Sequence, residues 1–119
     1  MGLPPNQQHN LVAALASMAE SCLSMRDLKQ IHAHAIVANL HRHHVVLGKI
    51  FRFAAVSPSG DLHYAHQLFS QMPQPRTFFY NTLIRGYSKS SSPSRSVHLF
   101  NRMRMNCVDP DEFTLNFLL

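Results

Sequence analysis

The residues able to do chemistry in this chain are first of all its nine histidines and two cysteines, and their spacing argues against a metal centre. His32 and His34 stand two apart in a segment of helical pattern. On a helix, side chains two apart point to different sides and cannot share an ion. His41, His43 and His44 cluster just after that segment, but a zinc site needs further ligands that the neighbouring sequence does not supply. A solvated, basic turn between helices accounts for them. Cys22 and Cys107 lie far apart, without metal-ligand or disulfide spacing, so both read as reduced packing thiols. No nucleophile, base and orienting group occur at a spacing that supports catalysis, and neither a phosphate-cradling glycine loop nor a zinc deaminase signature is present. The chain is therefore expected to be noncatalytic, with no metal, no cofactor and no small-molecule substrate.

What remains is charge. Eleven Lys and Arg against six Asp and Glu give a formal +5, which favours a polyanionic partner. No run approaches the roughly 18 apolar residues of a membrane span, so membrane insertion is not expected. Met1 to Ser24 carries one acid, Glu20, and the apolar run Leu11 to Leu15, but no arginine. It makes a weak organelle address and reads better as a first helix.

The elements that must position these groups are short helices. Phe79, Tyr80, Leu83, Ile84 and Tyr87 recur at helical spacing, the single apolar stripe that a half-buried helix requires. A serine run with Pro93 breaks the pattern, and a second stripe of Val97, Leu99, Phe100 and Met103 follows until Asn106 and the Asp109-Pro110 step end it. Upstream, Leu11, Leu15, Met18 and Cys22 suggest a first helix. Ser24 then offers a cap for a second, with Leu28, Ile31, Ala35 and Ala38 on one face. Val46, Ile50, Phe53 and Ala54 form a third, and after Ser57 to Gly60 the cap Asp61 starts a fourth with Leu62, Ala65, Leu68, Phe69 and Met72. Helices this short are marginal alone and must bury their stripes on neighbours.

Those neighbours repeat. Leu68, Phe69 and Met72 return 31 residues later as Leu99, Phe100 and Met103, each copy followed closely by proline. A period in the 30s belongs to two-helix solenoids. The expected organisation is a flexible tail over residues 1–9, hairpins over 10–43, 44–76 and 77–111, and the start of a further unit over 112–119.

Within 77–111, the set Tyr80-Asn81-Thr82-Leu83-Ile84, Gly86, Lys89, Leu99-Phe100, Met103 and Pro110-Asp111 resembles a pentatricopeptide repeat of the plant organelle type. The tetratricopeptide pattern of Trp, Leu-Gly and Tyr is missing, and the chain has no tryptophan. Residues 10–43, with the segment Asp27 to Ile36, resemble a degenerate copy of the family's long repeat variant, and 44–76 its short variant, as in the subfamily where long, short and ordinary repeats alternate. The resemblance implies an all-α, right-handed α-solenoid. The apolar end of 112–119 leads us to expect an N-terminal piece of a longer array.

The family's role implies sequence-specific binding of single-stranded organelle RNA, one base per repeat, for C-to-U editing or other transcript processing in a mitochondrion or chloroplast, with editing-factor proteins as further partners. Carried onto this chain, the base-reading pair falls on Asn81 and Asp111, the combination associated with uridine. Phe78 takes the place that packs against the base, Lys89 the place facing phosphate, and Arg85 joins the same basic face. Asn116 holds the place of Asn81 in the incomplete next repeat. In the middle unit the corresponding places fall near Gly48 and on Arg76, which form no usual pair. Other readings remain open: Asn81 as a helix-start residue, Asp111 as an N-cap of the next helix, and the whole as a protein-binding adaptor or a truncated, nonfunctional product.

Overall fold

Side chains set four of the helix starts by accepting the amides that a helix's first turn leaves unpaired. Ser24 accepts from the Asp27 amide at 3.1 Å, His43 from Val45 at 3.2 Å, Asp61 from Tyr64 at 3.2 Å and Asp111 from Thr114 at 3.1 Å. The computed structural model describes residues 4–119. Among these the elements are α1 (Pro5–Ser21), α2 (Met25–Val37), α3 (His44–Val56), α4 (Leu62–Ser70), α5 (Thr77–Ser88), α6 (Ser94–Met105) and α7 (Glu112–Leu118). No strand occurs among the described residues.

Two helices end on a left-handed residue, Asn39 after α2 and Cys107 after α6, each with φ of 57°. This lets the following amides reach back to carbonyls the helix would leave unpaired: Leu40 to Ala35 at 2.8 Å, and Val108 to Met103 at 3.0 Å.

The loose tail expected over residues 1–9 is corrected from Pro5 onward, where α1 already begins. Proline suits a first helical position, because the N–H it lacks has no partner there and its φ is preset. Residues 1–3 of that expected tail lie outside the described residues.

The helices stack in two rows. α1, α3, α5 and α7 pack each on the next, while α2, α4 and α6 each back onto their own first helix and the one that follows. This is an α-solenoid of helix-turn-helix units, 43 by 30 by 22 Å. One apolar core runs through it, with Phe51, Phe69, Tyr80, Leu83 and Ile84 at 1% exposure or less. Each such side chain contributes about 1.5–3 kcal/mol by leaving water. Gly86 lets the first row close up. A Cβ there would stand 2.5 Å from the Ala55 carbonyl oxygen and 2.8 Å from Leu62 Cδ1.

Polar pairs join the units as well: His32 of α2 hydrogen-bonds Tyr64 of α4, and His66 of α4 bonds Tyr87 of α5 at 2.8 Å. Within the hairpin of α5 and α6, Asn106 donates to the Tyr80 hydroxyl at 2.9 Å.

Two stripes keep part of their expected residues, Leu15 in α1 and Leu99 and Met103 in α6, and shift by one residue elsewhere. α1 buries Val12, Leu15, Ala16 and Ala19, leaving Met18 exposed, because small alanines let it lie close against α3. α6 buries Ser96, Leu99 and Met103, and Val97 faces water. Ser96 tolerates burial because its hydroxyl donates to the Pro93 carbonyl.

Candidate nucleic-acid interface

α5 carries Asn81 one turn in from its start, and the chain after α6 returns to meet it. Thr77 donates to the Asp109 carbonyl at 3.0 Å, which holds the loop against the beginning of α5. Asp111 follows as N-cap of α7, and its Oδ1 accepts from Asn81 Nδ2 at 2.9 Å. The expected pair, 30 residues apart in sequence, is in direct contact. Capping and pairing are done by the same carboxylate, so the N-cap reading of Asp111 holds alongside its contact with Asn81. Asn81 bonds side chains, not nearby backbone: Thr114 donates its hydroxyl to Asn81 Oδ1. The Thr114 amide holds the Asp111 carboxyl below its ordinary range, aided by the Asn81 amide and Thr114 hydroxyl and opposed by desolvation. Asp111 is therefore an ionised acceptor at neutral pH.

The pair lies in a cavity of about 390 Å³ lined by Arg52, Val56, Phe78, Asn81, Thr82, Arg85, Asp111, Phe113 and Phe117. Asn81 is 6% exposed, whereas Phe78 and Phe113 stand 47% and 54% exposed. The arrangement is a polar pair bordered by two aromatic side chains that water still reaches, with two guanidinium groups in the lining. Arg85 lies 5.5 Å from the Phe117 ring centroid. An amide offers donors and acceptors to a planar ligand's edge. Aromatic side chains offer faces to a base at about 1–3 kcal/mol each, and arginines pair with phosphate.

Phe78, Asn81, Arg85 and Asp111 are thus brought together. Lys89 and Asn116 are not among them; both are exposed and line a neighbouring hollow with Arg85. Gly48 and Arg76 line a second cleft of about 400 Å³ with His44, Val45, Lys49, Arg52, Phe78 and Phe79. Phe78 and Arg52 border both clefts. Where the first has an amide, the second has glycine.

Sequence reasoning missed Phe113, Arg52 and Thr114. Phe113 stands 35 residues after Phe78, and Arg52 stands 33 before Arg85, so translating the repeat finds both. Four of the histidines are engaged elsewhere: His43 caps α3 and stacks on His44 at 4.7 Å between centroids, while His32 and His66 hold their tyrosines. No helix among the described residues is long and apolar enough to cross a membrane.

A family model described as PPR repeat family matches residues 75–119. A pentatricopeptide repeat-containing protein of Arabidopsis thaliana, At3g56550, is 42% identical over 107 residues, covering 88% of this chain. The chain belongs to the pentatricopeptide repeat family. A second Arabidopsis thaliana relative, pentatricopeptide repeat-containing protein At5g15300, is 37% identical over 84% of the chain. A third, named as the chloroplastic pentatricopeptide repeat-containing protein At2g42920, is 38% identical over 75%. The chain spans 18%, 18% and 15% of these relatives' lengths. No solved structure matches it. The pentatricopeptide repeat match covers Phe78, Asn81, Arg85, Lys89, Asp111 and Phe113.

Proposed function

We propose that this chain binds single-stranded RNA along its first row of helices and reads one uridine with Asn81 and Asp111. The observation that carries the reading is the contact of an amide and a carboxylate in a cleft bordered by two half-exposed phenylalanines and two arginines. RNA binding is the general role of the family. Phe78 and Phe113 take the two faces of the base, Asn81 meets its edge, and Asp111, which only accepts, orients the amide. Arg85 and Lys89 serve the phosphates. The repeats divide as 10–43 of long type, 44–76 of short type, 77–111 complete and 112–119 the start of another, each complete unit taking one base.

The task we assign is sequence-specific recognition of an organelle transcript for C-to-U editing or other processing, in a chloroplast or mitochondrion. One similar protein is named chloroplastic. The chain contributes recognition and no catalysis, and editing-factor proteins are its further partners.

The test is binding of uridine-containing RNA by fluorescence anisotropy across a salt series, with an unrelated peptide as competitor. Asn81→Ala should weaken binding about tenfold, the cost of one polar contact to a base, and Asp111→Ala, which removes the group that orients that amide, should weaken it about as much. Equal binding by wild type and both variants rejects base reading, and displacement by the peptide rejects an RNA groove.

A further inference from the structure

We propose that Thr114 decides which hydrogen-bonding group of Asn81 meets the base, and so sets uridine against cytidine; this rests on the base-reading role just proposed. Thr114 is completely buried. Its hydroxyl accepts from the Asp111 amide at 3.0 Å, which leaves it one proton to give. That proton goes to Asn81 Oδ1, closer than the competing Asp111 Oδ1 at 3.1 Å.

An asparagine amide has two N–H donors and two lone pairs on its oxygen. Asp111 takes one N–H and Thr114 takes one lone pair. The two partner oxygens are 3.1 Å apart. They can be this close only if both engage the same edge of the amide, where one N–H and the oxygen lie side by side. The second N–H, on the far side of the nitrogen, and the second lone pair, on the far side of the oxygen, stay free and point apart, so a base approaching from one side meets only one of them; in this scheme the side turned to the base is the donor. A base with a carbonyl there completes the bond, as uridine does with O4. Cytidine places its N4 amino group in that position and meets donor with donor.

Without the Thr114 hydroxyl, Asn81 Oδ1 has no partner and the amide can rock about Asp111. The amide can then turn a lone pair of its oxygen toward an amino group. Discrimination falls, while the aromatic faces and phosphate contacts remain. Thr114 touches no base in this scheme, so it is a positioning residue.

The experiment measures affinity for two oligoadenylates of equal length, one with a central uridine and one with a central cytidine, using the whole chain. Thr114→Val should lower the uridine-to-cytidine affinity ratio about five- to tenfold, mainly by tightening cytidine, the effect of one hydrogen bond. Thr114→Ser, which keeps the hydroxyl, should restore the ratio. Without RNA, the two Asn81 side-chain amide protons should exchange with solvent more slowly in wild type and Thr114→Ser than in Thr114→Val, by NMR. Wild type that does not distinguish the two RNAs overturns base reading itself. Wild type and Thr114→Val with the same ratio and the same amide exchange overturn the inference alone. If Thr114→Val loses α7 by circular dichroism, Thr114→Ser decides, and loss of the ratio in that variant overturns the role of the hydroxyl.

Discussion

Phe78 and Phe113 look alike in the first cleft but should differ in their effect on binding, because only Phe78 also borders the second cleft beside Gly48. A Cβ built at Gly48 would lie 3.6 Å from Phe78 Cε2 and 3.9 Å from Cζ, so the outer end of that ring lies beside the glycine. Truncating Phe113 to alanine removes one stacking partner of one base. At about 1–3 kcal/mol per base, that is a loss of roughly 5- to 150-fold in Kd. Phe78 lines both clefts, so with a base seated in each its truncation should approach the product of two such effects, about tenfold beyond that of Phe113→Ala. Neither change should unfold the chain. Both rings are about half exposed, and the apolar area each still buries is worth about 1 kcal/mol, a shift of a few degrees in Tm at about this size. The assay is RNA binding by anisotropy at one salt concentration, with melting by circular dichroism alongside. Equal losses in the two variants would refute a shared wall. Large drops in Tm that account for the binding losses would refute stacking altogether.

Gly86→Ala should destabilise the chain by about 1–3 kcal/mol. The new Cβ meets the Ala55 backbone oxygen at 2.5 Å, and the gain in helix propensity of about 1 kcal/mol does not offset that; an unchanged Tm would refute the close approach. Acid should also weaken the stack. Burial holds His32 below its ordinary value, with His41 adding to it, and burial with Arg95, Arg102 and His63 does the same for His66. The unfolded chain then binds protons more readily than the folded one, so stability is complete above about pH 6.5 and is lost as pH falls below it. Melting at pH 7.5 and 5.5 checks this, and a His32→Gln/His66→Gln variant should show a flatter response than wild type.

Much of the fold was legible because its signals are local. Ser24 and Asp61 announced helix starts by residue type, and the stripes of α4 and α5 named most of their buried residues, while that of α3 named Phe53 in place of the fully buried Phe51. The α1 and α6 stripes were misplaced in part, at Met18 and Val97, because periodicity locates apolar residues without saying which of two adjacent faces turns inward. Ala16, Ala19 and Ser96 carry little hydrophobic signal. They are buried because small side chains let helices approach, something only the packed neighbour reveals. The site is a different case. No rule of composition joins Asn81 to a residue 30 positions away, and only the family resemblance paired it with Asp111. Thr114 was hidden for the opposite reason: three residues after Asp111 it looks like a local capping residue, which it also is. Its reach to Asn81 exists only once α7 lies against α5.

That dependence on stacking follows from how the cleft is built. Asn81 and Phe78 belong to α5, whereas Asp111, Phe113 and Thr114 belong to the cap and first turn of α7. A single hairpin therefore contains half a cleft, and the other half arrives with the next unit. α7 is only seven residues long, too short to hold its shape in water without tertiary contacts. Its reciprocal cap between Asp111 and Thr114 and their joint hold on Asn81 tie it in place. The bonds that orient the amide are thus also bonds that dock one unit on another. A ligand gripping both halves must favour the docked state, by about 2.7 kcal/mol at a hundredfold excess over its Kd. By the same linkage, whatever firms the docking must tighten the ligand. On the proposed reading, recognition and stacking are one equilibrium, with Asn81 at the seam.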